Sequence, residues 1–213
     1  MAREVDVYAA ADKAIRVLDR QDVEAFGRLK MSQWDKVKVI RAVEAVYTAS
    51  IRRAKKRYYE IGFEAFLLAM MLCEIDLREA HKMAEKAITP KWVDEILKDT
   101  DFVTMYRFDT EAERKAYRLA EALEVSEDRN AEIDKALRAW SKQVGQYALN
   151  VTDYAMMQAF ENAGIEKVMW MSERDNRVCT ECVTLNGQVF PINEVPRKPH
   201  WACRCHLTPV LDG

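Results

Sequence analysis

The chain has 213 residues, of which 49% are hydrophobic and 32% charged, and its formal net charge is −2. This composition is typical of a folded chain with a substantial core, and it excludes a disordered or low-complexity protein. The net charge argues against nucleic-acid binding by the chain as a whole, although it allows a local basic patch. No segment approaches the roughly 20 apolar residues of a membrane helix, and the first residues are charged, unlike a secretion signal. We therefore expect a cytosolic protein without a membrane partner.

Proline and cysteine are concentrated towards the C-terminus. Four of the five prolines lie in the last 23 residues, and four of the five cysteines lie in the last 35. This shift predicts two regions, a helical body over residues 1–164 and a small irregular module over residues 165–213. The remaining cysteine, Cys73, lies in an apolar helical segment, where we expect a small buried hydrophobic residue.

The body is predicted to be helical because its apolar residues recur every three or four positions. One long helix is expected over about residues 33–73. Thr89-Pro90 indicates the start of a short helix, with proline at the first helical position, and a further helix is expected to end near Leu123. The clearest stripe spans residues 133–160, and Gly164 lies where a helix C-terminus is expected.

The two long stripes predict a mainly α fold, an elongated bundle or helical hairpin. A slim two-helix hairpin cannot bury all the aromatic side chains of these stripes, so we expect exposed aromatic edges that favour a protein partner. The aromatic residues of the stripes are Tyr47, Tyr58, Trp140, Tyr147 and Tyr154.

The residues after Gly164 show the pattern of a small β module. Alternating side chains around Trp170 predict a strand, and residues 205–210 could return as another. Asn186-Gly187 lies between apolar residues, which predicts a β-hairpin. A module of fewer than 50 residues has too small a core to be stable alone, so it needs a staple.

The predicted staple is a structural zinc site. Cys179 and Cys182 form a C-x-x-C pair, and after 17 intervening residues His200 and Cys203 form an H-x-x-C pair. Thiolate and imidazole ligands suit Zn²⁺, and paired ligands at this spacing are typical of closed, four-ligand sites. Cys205 is the alternative fourth ligand, because side chains two residues apart in an extended segment point to the same side.

Two other interpretations of the cysteines remain open. Disulfide bonds would need an oxidising compartment, which the charged N-terminus does not indicate. A redox-active C-x-x-C would be expected at a helix N-terminus that follows a strand, in a thioredoxin-like setting. We favour zinc over both.

Three motifs follow one another in the module: Trp170-x-x-x-x-Asp175-x-Arg177-Val178-Cys179-x-x-Cys182, Leu185-Asn186-Gly187, and Pro199-His200-x-x-Cys203-Arg204-Cys205. In this order and spacing they resemble the C-terminal module of phage minor head proteins, the Mu protein F-like or phage head morphogenesis family. The resemblance covers about residues 130–213. It departs from the family at Trp201-Ala202, where Pro-Asn or a similar pair is usual, and this departure affects the turn rather than the ligand residues.

The resemblance implies a structural protein of a tailed phage or prophage. Such a protein associates with the portal and other head proteins and acts in head assembly or in genome packaging and delivery. It would be found in the virion, and in the host cytoplasm during assembly. The sequence contains no G-x-S-x-G, P-loop or H-E-x-x-H motif, so we expect neither enzymatic activity nor a small-molecule substrate.

The alternative function is a zinc-ribbon-like regulator that binds nucleic acid. Its main support is a basic run that could contact DNA phosphates or an acidic partner protein. On a helix such a run is more often a solvated face. Residues 166–213 contain six basic and six acidic residues, a balance that disfavours DNA as a partner of the module. The basic run consists of Arg52, Arg53, Lys55, Lys56 and Arg57.

Overall fold

The structure is a computed structural model that describes residues 6–30, 36–98, 108–173 and 178–211. The predicted mainly α fold with a small C-terminal β module is confirmed. No helix in the described ranges is long and apolar enough to cross a membrane. In chain order the elements are α1 (Ala9–Lys30), α2 (Lys36–Leu72), α3 (Leu77–Ala87), α4 (Pro90–Ile96), α5 (Phe108–Val125), α6 (Arg129–Asn162), β1 (Lys167–Met171), α7 (Thr180–Leu185), β2 (Val189–Pro191), a 3₁₀ turn (Ile192–Glu194) and β3 (His206–Pro209).

The two long helices, α2 and α6, pack along each other and form the centre of the body. The predicted start of α2 before Lys36 lies outside the described residues. The short helix α4 begins as predicted, because the side chain of Thr89 accepts a hydrogen bond from the backbone N–H of Trp92 at 3.1 Å. Helix α6 ends at Asn162, and Gly164 follows with a φ of 73°, as expected for a helix C-terminus.

The expectation of exposed aromatic edges is wrong. The body is not a two-helix hairpin, because α1 packs against both α2 and α6, and α5 packs against α2. Phe26 from α1 lies edge-on to Tyr47, with ring centroids 5.3 Å apart. Tyr154 is half-buried, and each of the other four aromatic residues is at most 2% exposed: Tyr47, Tyr58, Trp140 and Tyr147.

A buried polar network fixes how the three long helices meet. Trp140 of α6 donates through Nε1 to Ser50 Oγ of α2 at 2.7 Å, and Ser50 donates to Asp22 Oδ2 of α1 at 2.7 Å. Arg53 donates to the other oxygen of Asp22 at 2.6 Å. Burial raises the pKa of the Asp22 carboxyl, and the hydrogen bonds from Ser50 and Arg53 oppose this rise. A shifted helix would leave these buried groups unpaired, so the network selects one register.

The C-terminal sheet has the order β2-β1-β3, with both outer strands antiparallel to β1. Trp170 in β1 lies opposite Leu207 in β3, which confirms the two predicted strands. Both outer strands end in proline, at Pro191 and Pro209.

The predicted Asn-Gly hairpin is wrong. The residues before Asn186 form the helix α7, and the Asn-Gly pair is the turn that follows this helix. The C-x-x-C segment favours the helix, because the Cys179 sulfur caps its N-terminus by accepting from the N–H of Cys182 at 3.4 Å. Gly187, with a φ of 79°, then donates its N–H to the carbonyl of Trp170 at 2.8 Å, which returns the chain to β1.

The module has little apolar core of its own. Val168 belongs to the large core formed by the helices. A second buried cluster contains Trp170 and three cysteines: Cys182, Cys203 and Cys205. The division into a body of residues 1–164 and a module of residues 165–213 stays a prediction.

Candidate metal centre

The cysteine and histidine side chains singled out in the sequence converge on Cys182. Cys179 is the N-cap of α7, Cys182 lies in its first turn, and the other donors come from the segment that leads into β3. The Cys182 sulfur lies 3.6 Å from Nε2 of His200 and 3.6 Å from the sulfur of Cys203. Cys182, Cys203 and Cys205 are each at most 4% exposed.

The donor atoms form two overlapping groups, in each of which all atoms lie within 4.8 Å of one another. One group is Cys179, Cys182 and His200, and the other is Cys182, Cys203 and Cys205. Two sulfur ligands bound at about 2.3 Å in a tetrahedral site would be about 3.8 Å apart. The 3.6 Å distances around Cys182 fit this spacing, so these groups could hold a metal ion.

The ring of His200 is oriented so that Nε2 could bind a metal ion. Its Nδ1 lies 2.8 Å from the carbonyl oxygen of Trp201. Because a carbonyl only accepts, this contact assigns the ring proton to Nδ1 and leaves the lone pair of Nε2 facing the Cys182 sulfur. A hydrogen bond from the other ring nitrogen is the usual way in which a protein fixes the orientation of a metal-binding imidazole.

The thiols affect one another's ionisation. Burial raises the pKa of Cys182 to about 12. The pKa of Cys205 is lowered to about 4, because the side chains of Cys203 and Ser172 hydrogen-bond to it, while the same contact with Cys205 raises the pKa of Cys203. The protein groups alone therefore favour a thiolate at Cys205 and a protonated thiol at Cys182 and Cys203. Further deprotonation requires a compensating positive charge, which a bound metal cation would supply.

Cys203 and Cys205 both lie at the site. The Cys203 sulfur contacts Cys182, whereas the Cys205 sulfur lies 3.6 Å from the hydroxyl of Ser172. The choice of Cys203 as the fourth ligand, with Cys205 as the alternative, stays a prediction.

The geometry gives less support to the other interpretations of the cysteines. All five cysteines are free thiols. Cys179 does cap a helix after a strand, as a redox pair would, but the sheet here is a three-stranded antiparallel one with His200 beside the pair. Cys73 is 8% exposed and burial raises its pKa to about 11, which confirms it as a buried hydrophobic residue.

Most residues of the basic run on α2 form ion pairs within the chain. Arg53 pairs with Asp22, Lys55 pairs with Asp94 at 2.7 Å, and Arg57 pairs with Glu60 at 2.5 Å. The remaining two members of the run, Arg52 and Lys56, are exposed. Whether the run contacts nucleic acid or a partner stays a prediction.

Sequence reasoning missed the residues that hold the segment of the candidate metal ligands in place. Tyr8, Asp12, Gln146 and Asp153 contact this segment, although they lie from 45 to about 200 positions earlier in the chain. No local pattern marks them, and the one available signal was the arginine between Cys203 and Cys205. Asp175 and Arg177 of the first motif lie outside the described residues.

A cavity of about 530 Å³ opens beside the cysteine cluster. His200 and Leu149 line it, and so does Trp201, which is 46% exposed. The departure from the family pattern therefore places a large aromatic side chain at the mouth of this cavity.

One comparison with known proteins gives a match. Residues 119–208 match the family model described as Phage Mu protein F like protein. No curated protein and no solved structure matches the chain. The matched segment runs from within α5, through all of α6, to β3, and so includes every candidate metal ligand. The resemblance seen in the motifs is confirmed, because residues 119–208 are similar to the Phage Mu protein F-like family.

Proposed function

We propose that this protein is a structural minor head protein of a tailed phage or prophage. The family match over residues 119–208 carries the proposal and supports a role in phage head morphogenesis. In its finer form, the proposal is that the chain associates with the portal and other head proteins during head assembly or genome packaging and delivery. The protein would then be found in the virion, and in the host cytoplasm during assembly.

The proposed cofactor is one structural Zn²⁺ ion held by Cys179, Cys182, His200 and Cys203, with Cys205 as the alternative to Cys203. Three thiolates and one imidazole are a common structural zinc set, and four protein ligands leave no position for a substrate. We accordingly propose no enzymatic activity. The ion would fasten α7 to the segment before β3, in a module whose own buried cluster contains four of the described residues.

The portal contact is assigned to the helical body. With the aromatic stripes buried, exposed apolar side chains elsewhere must provide the contact area. Helix α5 presents two of them, Tyr117 at 56% exposure and Val125 at 82%. Tyr117 also lines a groove of about 440 Å³ beside Val39 and Leu123. Large apolar side chains next to a groove are typical anchors of protein interfaces.

The test is co-purification of the full chain with the portal protein encoded by the same genome, followed by sizing. Tyr117→Ser should weaken the complex at least about tenfold, as expected for an interface anchor. Trp201→Ser is the matched control, because it removes an exposed aromatic side chain from the module instead. Loss of binding in Trp201→Ser but not in Tyr117→Ser would move the contact to the module. Absence of any complex with head proteins would contradict the proposed function.

The regulator alternative has less support, because three of the five basic residues in the run are already ion-paired. It predicts tight DNA binding with a steep salt dependence and no complex with head proteins. Replacing both exposed members of the run, Arg52→Gln with Lys56→Gln, should then reduce DNA affinity. Under the head-protein proposal the same double variant leaves portal binding unchanged.

A further inference from the structure

The start of α1 is held by the segment that carries the candidate metal ligands. Tyr8, just before α1, is fully buried. Lys198 Nζ and Arg204 Cζ each lie 5.0 Å from the centre of its ring, so two cations contact one aromatic ring. Both cations belong to the segment between the 3₁₀ turn and β3.

Hydrogen bonds tie Tyr8 to the backbone of the ligand residues themselves. Lys198 Nζ donates to the Tyr8 hydroxyl at 2.6 Å and to the carbonyl of Cys203 at 3.2 Å. The Tyr8 hydroxyl lies 3.0 Å from the carbonyl of Cys205 and 2.7 Å from Asp153 Oδ1, and these two acceptors share its single proton. Lys198 also forms an ion pair with Asp153 at 2.6 Å, and both of these side chains are nearly buried.

A bidentate ion pair makes the second connection. Both terminal nitrogens of Arg204 donate to the carboxylate of Asp12, each at 2.9 Å. Asp12 lies in the first turn of α1, and Arg204 lies between the two candidate fourth ligands. A bidentate guanidinium–carboxylate pair fixes orientation as well as distance.

A third connection anchors the same segment to α6. The N–H of Ala202 donates to Oε1 of Gln146 at 2.6 Å, and Ala202 has a φ of 55°. A non-glycine residue in this left-handed region persists only where its surroundings hold it. The segment therefore depends on fixed partners at several points.

We propose that metal binding is coupled to the docking of the α1 start, residues 6–12, through Tyr8 and Asp12. A metal ion that fixes the sulfurs of Cys203 or Cys205 also fixes the adjacent carbonyls and Arg204, which hold Tyr8 and Asp12. Coupling between two sites is reciprocal, so undocking this segment must weaken metal binding by the same factor by which metal removal weakens docking. The inference rests on the metal site of the proposed function.

The first experiment measures Zn²⁺ affinity of the full chain by competition with a chromophoric chelator. Tyr8→Phe removes only the hydroxyl, and Asp12→Asn removes only the charge that faces Arg204. Each should weaken Zn²⁺ binding about fivefold or more, within the usual range of coupling between sites. Asp19→Asn is the matched control, because it removes a charge from the same helix two turns away. The Asp19→Asn variant should bind Zn²⁺ with the affinity of the unaltered protein.

The second experiment compares hydrogen exchange of the full chain with Zn²⁺ and after chelation. Amides of residues 12–15 should exchange faster after chelation, while the middle of α2 should keep its protection. Unchanged exchange at residues 12–15, or full Zn²⁺ affinity in both Tyr8→Phe and Asp12→Asn, would overturn the coupling. These outcomes leave the metal site and the portal complex intact, whereas failure of the unaltered chain to bind Zn²⁺ would refute both the metal site and the coupling.

Discussion

The helical body and the C-terminal module are stabilised in different ways. The body buries large side chains from α1, α2, α5 and α6 in one continuous core. The module contributes a buried cluster of one tryptophan and three cysteines, and it is attached to the body by Val168, which lies in the helical core, and by polar contacts to α1 and α6. Apolar burial increases with the number of packed residues, whereas a small unit needs a metal ion or a disulfide to reach comparable stability. The two regions should therefore respond differently to the same perturbation.

Removing the metal ion should have the largest effect, and it should act on the module. Metal-binding free energy in small zinc units is about 10–16 kcal/mol, and it acts as folding free energy. Chelation or Cys182→Ser should abolish exchange protection in β1, β2 and β3 while far-UV circular dichroism keeps most of its helical signal. Global loss of helix would show that the body depends on the module, and the difference between the two regions would then disappear.

The two candidate fourth ligands can be separated by substitution. If Cys203 is the ligand, Cys203→Ser should lower Zn²⁺ affinity by more than about 100-fold, since loss of a ligand should exceed the loss of a residue that only orients one. Cys205→Ser should retain the ion, because its sulfur would then serve only the contact with Ser172. The zinc content of the two purified variants distinguishes these outcomes. Loss of zinc in Cys205→Ser, with zinc retained in Cys203→Ser, would identify Cys205 as the ligand.

In the body, substitution of Trp140 should reduce the stability of the protein more than substitution at any other position. Trp140→Ala leaves a large cavity and should destabilise the chain by about 3–5 kcal/mol. Trp140→Phe keeps most of the volume but removes the donor to Ser50, with an expected cost of about 1–3 kcal/mol. Denaturant unfolding followed by helical signal measures both. Trp201→Ala, at an exposed site of the module, should change stability by less than about 0.5 kcal/mol.

The smallest expected effects concern two ion pairs of the basic run. Arg53→Gln should cost about 1–3 kcal/mol, because Asp22 is 1% exposed and loses its cation. Lys55→Gln should cost no more than about 1 kcal/mol, because both partners are about 40% exposed or more. If the two substitutions destabilised the protein equally, burial would not determine how much each ion pair contributes to stability.

The Arg53→Gln variant should also respond to pH. Burial raises the pKa of Asp22, so the ionised carboxylate opposes folding and the protonated form does not. Without Arg53 the folded-state pKa should rise further, and stability should fall as pH rises above the ordinary value of 3.8. The cost of the substitution should therefore be smaller near about pH 4 than near about pH 8.

The sequence predicted those parts of the molecule that have local patterns. The long helices α2 and α6 follow from extended apolar stripes, and the cluster of cysteine and histidine side chains follows from their fixed spacing. Helix α1 was missed, because its buried face includes small residues such as Ala11 and Ala14, which give a weak periodic signal. Without α1, the bundle appeared too slim to bury its aromatic residues, and the expectation of exposed edges followed from that omission.

The other differences also come from contacts that a local pattern does not contain. Asn186-Gly187 is a strong hairpin signal, but the sulfur of Cys179 caps a helix immediately before it. The contacts of Tyr8 with Lys198 and Cys205 span 190 and 197 positions of the chain. Only the folded structure brings such residues together.

The prolines that end both outer strands affect how the sheet could pair with the sheet of another copy. A proline has no backbone N–H to offer a further strand, and short edge strands are poor templates for pairing with another chain. The outer strands have only three and four residues and finish at Pro191 and Pro209. The edges of this sheet are therefore poor templates for pairing with the sheet of a second copy.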